Sequence, residues 1–244
     1  AEFRDDTIVL NGKKTHVANR GTCGAYLVLC RTGLKEEALS KALSIVLVKG
    51  DRKWMVFTDA GLKFSTNMMK TADITFENVS IPASNLVGKV GKGLAQLEVF
   101  NNEMKILTAA QAVGIAQGAF DRSLSYIKQR EQFNRKLAVF QIIKHKIAEM
   151  AAKIELARLI TYKAAHLFDQ GKPDSLLIAM AKMTAGRAAV EVADEAIQLF
   201  GGYGYMKESQ VERFFRDAKM TELSFGSSAA QKELISDTII GRIK

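Results

Sequence analysis

The sequence predicts an α+β protein: a partial antiparallel β barrel or sandwich followed by an antiparallel four-helix bundle. Three observations carry this expectation. Residues 1–90 hold short β-branched runs separated by polar connections. From Leu94 onward, apolar residues recur at three- and four-residue spacing, the period of a helix with a buried face. Between them lies the glycine-punctuated connector Gly88-Lys-Val-Gly-Lys-Gly93, which sets the expected domains at 1–91 and 92–244.

In the first region Thr7-Ile-Val-Leu10 and Lys13-Lys-Thr-His-Val17 flank Asn11-Gly12, a dipeptide that suits a type I′ hairpin turn. Tyr26–Cys30, Leu43–Val48 and Asp73–Phe76 read as further strands, and Glu36–Lys41 as loop. Trp54, between basic residues, reads as a partly exposed strand residue. The helical pattern covers 94–128, 138–170, 174–200 and 228–243, with breaks at Arg130–Lys136, Gly171-Lys-Pro173 and Gly201–Ser227. Short connections between long helices argue antiparallel neighbours. Met183, Met206 and Met220 are expected to serve packing.

Composition narrows the function. A chain of 244 residues with 48% hydrophobic and 25% charged side chains is globular, with no uninterrupted apolar run long enough for a membrane span. The net charge of +9 favours anionic partners. Acidic and basic residues are interleaved rather than blocked, which argues for a phosphorylated ligand or an acidic protein over nucleic acid. Two cysteines seven residues apart in an apolar stretch suit buried thiols in a reducing compartment, cytoplasmic or mitochondrial matrix. The three histidines have no ligand-like spacing, so no metal site is expected.

The most informative stretch is Gln198-Leu-Phe-Gly-Gly-Tyr-Gly-Tyr205. Adjacent glycines after a helix present bare N–H groups to a phosphate, and equally make a plain helix stop. Together with Phe76-Glu-Asn-Val-Ser-Ile-Pro82, Ala112-Val-Gly-Ile-Ala-Gln117, Arg130-Glu-Gln-Phe133, Phe140-Gln141, Arg216-Asp-Ala-Lys219 and Gly226-Ser-Ser with Gln231, this stretch resembles the acyl-CoA dehydrogenase family. The likeness runs through nearly the whole chain.

That resemblance implies a flavoprotein that oxidises an acyl-CoA thioester to the 2,3-enoyl-CoA and passes electrons to an electron-transfer flavoprotein. It implies FAD contacts from Arg130, Gln132, Phe133, Gln141, Gln198, Gly201 and Gly202, supplied largely to a neighbouring subunit of a homotetramer built as a dimer of dimers. Ser227 is also implied at the cofactor. A guanidinium forks onto phosphate oxygens, although an arginine at a helix C-terminus equally complements the macrodipole. Asn134 stands where the family usually has glycine. His16-Val17-Ala18 replaces the family's Trp-Ile-Thr; Ala18 lacks the hydroxyl that bonds the flavin, and His16 either packs on the ring or is a satisfied strand histidine.

The catalytic carboxylate is the main departure. Most members carry a Glu just before a Gly-Thr, and here Phe225 precedes Gly226. A minority place it on the first bundle helix before a basic residue; Lys105 matches that residue, but Met104 precedes it. Glu103, one position early, is the remaining candidate base, or else a solvated carboxylate. Lys105 and Gly226 are the implied substrate-side residues. The resemblance further implies a chain that starts inside the middle β domain, as a cut piece inactive alone or as a short subunit completed by a partner. The competing expectation is a degenerate, non-catalytic homologue acting as a subunit or scaffold, because Phe225, Met104 and Ala18 depart together.

Overall fold

The computed structural model describes residues 1–19, 22–50 and 55–241, so Trp54 lies outside the described residues. Two compact units are present, Ala1–Phe100 and Asn101–Lys244. In the first, the described strands are β1 (Glu2–Arg4), β2 (Thr7–Ala18), β3 (Ala25–Arg31), β4 (Leu43–Lys49), β5 (Met55–Asp59), β6 (Thr71–Pro82) and β7 (Leu86–Val87). They form antiparallel sheets of order β1-β2-β6-β5 and β3-β4-β7. Alternate side chains of both sheets, among them Ile8, Leu10, Val28, Val46, Val48, Ile74 and Phe76, close into one buried cluster. That alternation makes the unit a two-layered sandwich.

The expected hairpin at Asn11-Gly12 is not formed: β2 runs straight through it, paired with β6 along its length. A hairpin there would fold 13–17 back onto 7–10 and leave β6 without its partner. The pairing steps from Leu10↔Val79 to Gly12↔Phe76, so β6 carries one extra residue. Asn78 absorbs it at φ 51. The Asn11 Oδ1 accepts the Asn78 N–H at 2.8 Å, and its amide donates to Asn78 Oδ1 at 3.0 Å. A second irregularity, from Lys14↔Ile74 to Val17↔Ala72, puts the extra residue on β2 and His16 at φ 55. The chain reverses instead at Asp5-Asp6, where Arg4 pairs with Thr7. The segment read as loop ends in a single helical turn, α1 (Leu39–Ala42). Cys23 and Cys30 are free and half-buried rather than buried, each thiol donating to a backbone carbonyl.

The glycine connector is packed, not loose. Gly91 has φ 73, its N–H donates to the buried Ser44 hydroxyl at 2.9 Å, and a Cβ added to it would meet the Lys41 carbonyl oxygen at 2.4 Å. Gly91→Ala should therefore lower stability by about 2–4 kcal/mol, combining left-handed strain with a backbone clash, read as a lower denaturant midpoint at unchanged slope.

The second unit is helical. α2 (Gly93–Gln129) enters it from the connector, and α3 (Gln141–Asp169), α4 (Ser175–Phe200), α5 (Glu212–Leu223) and α6 (Ser228–Ile240) follow. A two-strand arm, β8 (Glu131–Gln132) and β9 (Arg135–Lys136), joins α2 to α3. α4 starts at Asp174, whose carboxylate accepts the Leu177 N–H at 3.0 Å. Its alanine-rich sequence lets neighbours approach from several sides. Ala185, Ala189, Val192 and Ala196 of α4 share a core with Ala112 and Ala116 of α2, Met150 and Ile154 of α3, and Ala218 of α5.

α5 lies within the segment read as a break. It fully buries only Ala218 and Thr221, and Phe214 and Phe215 pack half-buried against the bundle core on the same side. Local charge pairs add to this: Arg216 to Glu212 at 2.9 Å and Lys219 to Glu222 at 2.6 Å. Among the described residues no helix is long and apolar enough to cross a membrane.

Candidate functional site

α2 and α4 run the same way through the bundle, so their C-terminal ends meet. Tyr126, on the last turns of α2, stacks on Phe200 at the end of α4, ring centroids 4.0 Å apart. Beside that contact opens a cleft of ≈ 580 Å³, into which Arg130, Gln132, Gln198, Gly201 and Gly202 are brought together. The Arg130 guanidinium sits over the Tyr203 ring, 5.5 Å from its centroid, and no carboxylate pairs with it among the described residues.

The fold asks different things of the two glycines. Gly201 caps α4 at φ 61 and ψ −141, a conformation essentially closed to other residues. A Cβ on Gly202 would meet nothing within 4 Å, so the fold itself does not demand glycine there. Bare main chain on an open face, beside an unneutralised guanidinium, has the chemistry to hold phosphate oxygens.

Phe133 and Gln141 flank the cleft without lining it. Phe133 and Asn134, at φ 54 and 58, form the tip of the β8–β9 arm, and Phe133 is 88% exposed. Asn134 suits that left-handed position, so the missing glycine leaves the turn intact. Gln141 opens α3 and is exposed. The sequence reading missed Tyr126, Leu137, Ile143 and Tyr203 on the cleft wall. It also took Met206 for packing, whereas Met206 is 52% exposed at the rim. Only the Tyr203 position, inside the glycine string, carried a signal.

A second set of residues surrounds the α5–α6 turn. Phe225 has φ 52 and is 38% exposed, and Ser227 caps α6 by accepting the Ala230 N–H at 3.3 Å. Beneath them Lys182 of α4 is 1% exposed; its ammonium donates to the carbonyls of Glu222, at 2.9 Å, and Gly226. Gln231, also buried, donates its amide to the Gly226 carbonyl at 3.2 Å. On α2, Lys105 is half-buried and burial pushes its ammonium down. Glu103 is exposed, because two residues along a helix rotate it ~200° from Lys105. His16 and Ala18 belong to the other unit. There His16 is exposed on its bulge, its N–H donating to Asp73 at 3.1 Å, and Ala18 ends β2.

Burial pushes Lys182 down to about 8, Lys105 adds to this, and the Glu222 charge opposes it. Between that value and the ordinary 10.5 of lysine, the unfolded chain holds a proton that the folded one has released. Stability contributed through this residue is therefore lowest below pH 8 and rises through that window. Urea unfolding between pH 8 and 10 should show a rise on the order of 2 kcal/mol that Lys182→Met lacks.

The class is a β sandwich followed along the chain by a helical bundle, with the Arg130–Gly202 cleft at the ends of α2 and α4. Residues 91–240 match the family model described as acyl-CoA dehydrogenase, C-terminal domain. The chain is 37% identical over 239 residues to the short-chain specific acyl-CoA dehydrogenase of Clostridium acetobutylicum, covering 98% of this chain and 62% of that one. It is 34% identical over 248 residues to the CarC subunit of the caffeyl-CoA reductase–Etf complex of Acetobacterium woodii, covering 96% and 62%. The solved butyryl-CoA dehydrogenase of Megasphaera elsdenii superposes with a TM-score of 0.94 at 34% identity, covering 98% and 62%. The chain thus spans about three fifths of the length of these relatives. It belongs to the acyl-CoA dehydrogenase family, whose members are FAD-dependent flavoproteins.

Proposed function

We propose that this chain holds FAD in the Arg130–Gly202 cleft and, within its full-length protein, takes part in α,β-dehydrogenation of an acyl-CoA thioester. The observation that carries the reading is the cleft: a guanidinium with no carboxylate partner among the described residues, facing main chain that carries no side chain. Arg130 would bind the pyrophosphate, the Gly202 main chain would approach it with no side chain in the way, and Gln132 and Gln198 would bond the adenosine side; the Gly201 N–H is committed to the Gln198 carbonyl. The flavin supplies the hydride acceptor when bound. Glu103 is this chain's own candidate for taking the α-proton, with Lys105 and Gly226 on the substrate side. We take the domains to be 1–91 and 92–244, divided at the connector.

An electron-transfer flavoprotein is the proposed electron acceptor, in keeping with the Etf complex to which the CarC relative belongs. We also propose a dimer of dimers. Its support is an apolar stripe on α3, where Leu156, Leu159 and Tyr162 are 64%, 62% and 63% exposed beside the exposed Ala148 and Ala152. A stripe of that kind is normally covered.

A second reading rests on one observation: Phe225 occupies the α5–α6 turn, and Glu103 faces solvent on α2. In that reading the protein keeps its flavin and has lost its chemistry, serving as a subunit or scaffold. The test is the visible spectrum of the full-length protein, followed by addition of acyl-CoA thioesters of several chain lengths. Bleaching that Glu103→Gln abolishes supports the enzyme; flavin that no thioester bleaches supports the scaffold. A full-length protein that never takes up FAD overturns both.

A further inference from the structure

The α5–α6 turn combines features that ordinary loop packing does not require. A bulky residue, Phe225, is held at φ 52, a region an aromatic side chain rarely enters. The turn is anchored from below by a lysine that is 1% exposed and whose hydrogen-bond partners are main-chain carbonyls, those of Glu222 and Gly226. The Gly226 carbonyl also accepts the Gln231 amide, so two buried donors converge on one oxygen.

Burying an ammonium is costly, and residues of similar length without charge fill a core position more cheaply. A lysine placed there is spent on the turn. Because a trans peptide sets C=O and N–H on opposite sides, a Gly226 carbonyl drawn down onto Lys182 turns the Ser227 N–H away from the core. The charge on Lys182 also polarises that peptide and strengthens the outward donor.

We propose that Lys182 is a positioning residue: through the Glu222 and Gly226 carbonyls it fixes the main chain of Phe225, Gly226 and Ser227, so that this turn presents its N–H groups and the Phe225 side chain as one wall of the acyl thioester site. The inference rests on the function proposed above and deepens it by naming what holds that wall. Lys182 touches neither substrate nor cofactor; it acts through the peptide backbone. Gln231 is the second anchor on the same oxygen, and Lys105 and Glu222 are the charged groups that face the lysine from α2 and α5.

The test has two arms. Hydrogen exchange on the 244-residue chain needs no cofactor: Lys182→Met should raise exchange at Ala230 and Gln231, whose N–H groups bond Ser227, by roughly tenfold or more, the loss expected for charge-assisted bonds, while amides in the middle of α3 change far less. Butyryl-CoA titration of the flavin-loaded full-length protein, followed by the flavin absorbance, should show affinity weakened by about tenfold with FAD affinity unchanged. Val192→Ala, a core truncation remote from the turn, is the control; it lowers global stability but leaves both readouts in place.

Unchanged exchange at the turn in Lys182→Met, or an equal effect of Val192→Ala, overturns the proposal. Should Lys182→Met fail to fold, Lys182→Gln, which keeps a donor on a shorter stem, is read in the same way with a smaller increase in exchange. A wild-type protein that binds FAD but no butyryl-CoA would count against the thioester reading, and the exchange arm would still decide for or against the clamp.

Discussion

Arg130→Ala is expected to weaken FAD binding by roughly ten- to a hundredfold, the range for losing a forked, charge-assisted contact to phosphate. The variant should otherwise fold normally, since the guanidinium makes no ion pair among the described residues and rests only on the Tyr203 ring. Arg130→Lys should recover part of the affinity, because an ammonium retains the charge but loses the fork. Arg135→Ala, on the neighbouring strand and packed over Phe140 at 5.8 Å, should cost much less. Flavin fluorescence titration at two salt concentrations separates the cases, with Arg130→Ala also flattening the salt dependence. An unchanged affinity would reassign Arg130 to its alternative role, a cation complementing the C-terminal end of α2.

That prediction depends on a juxtaposition the sequence showed only in part. The long helices were legible because their apolar residues keep helical spacing: α4, expected over 174–200, is found at Ser175–Phe200. Arg130 and Gly201 were each visible as candidates, but the contact that unites them was not. It depends on Tyr126 stacking on Phe200, two residues that look like ordinary core positions when read singly. α5 escaped notice because it is only 12 residues long and lies inside a segment opened by the glycine string, so its apolar face of Phe214, Phe215 and Ala218 reads as part of a break.

The misread hairpin has a different cause. Asn11-Gly12 has the chemistry of a turn, and β2 uses that chemistry sideways, to match an extra residue in β6 through the Asn11–Asn78 bonds. A local signal was overridden by a partner strand more than sixty residues away. Lys182 was hidden for a similar reason. A lysine in an alanine-rich helix reads as a solvated residue until the turn above it is seen.

Phe225→Glu should separate the two readings most sharply. If the family's carboxylate seat is intact apart from its side chain, restoring a base there should accelerate bleaching of the flavin by acyl-CoA by about a hundred- to ten-thousandfold, the usual contribution of a positioned general base. The position favours the change in one respect and resists it in another. Lys182 and Lys105, which sense each other's charge, lie in that neighbourhood and favour an ionised carboxylate. The left-handed backbone at 225 strains glutamate about as much as phenylalanine, so the substitution adds no backbone cost. Stopped-flow absorbance on wild type, Phe225→Glu, Glu103→Gln and the double variant gives three distinguishable patterns. Activity gained by Phe225→Glu and indifferent to Glu103 means a protein that lost its chemistry at one residue. Activity already present in the wild type and abolished by Glu103→Gln means a base working from α2, in which case a second carboxylate across the site should add little. No activity in any variant, with flavin bound, would show that the 225 turn is no longer shaped for the reaction at all, and that the aromatic ring replaced the base within a site already turned to another use.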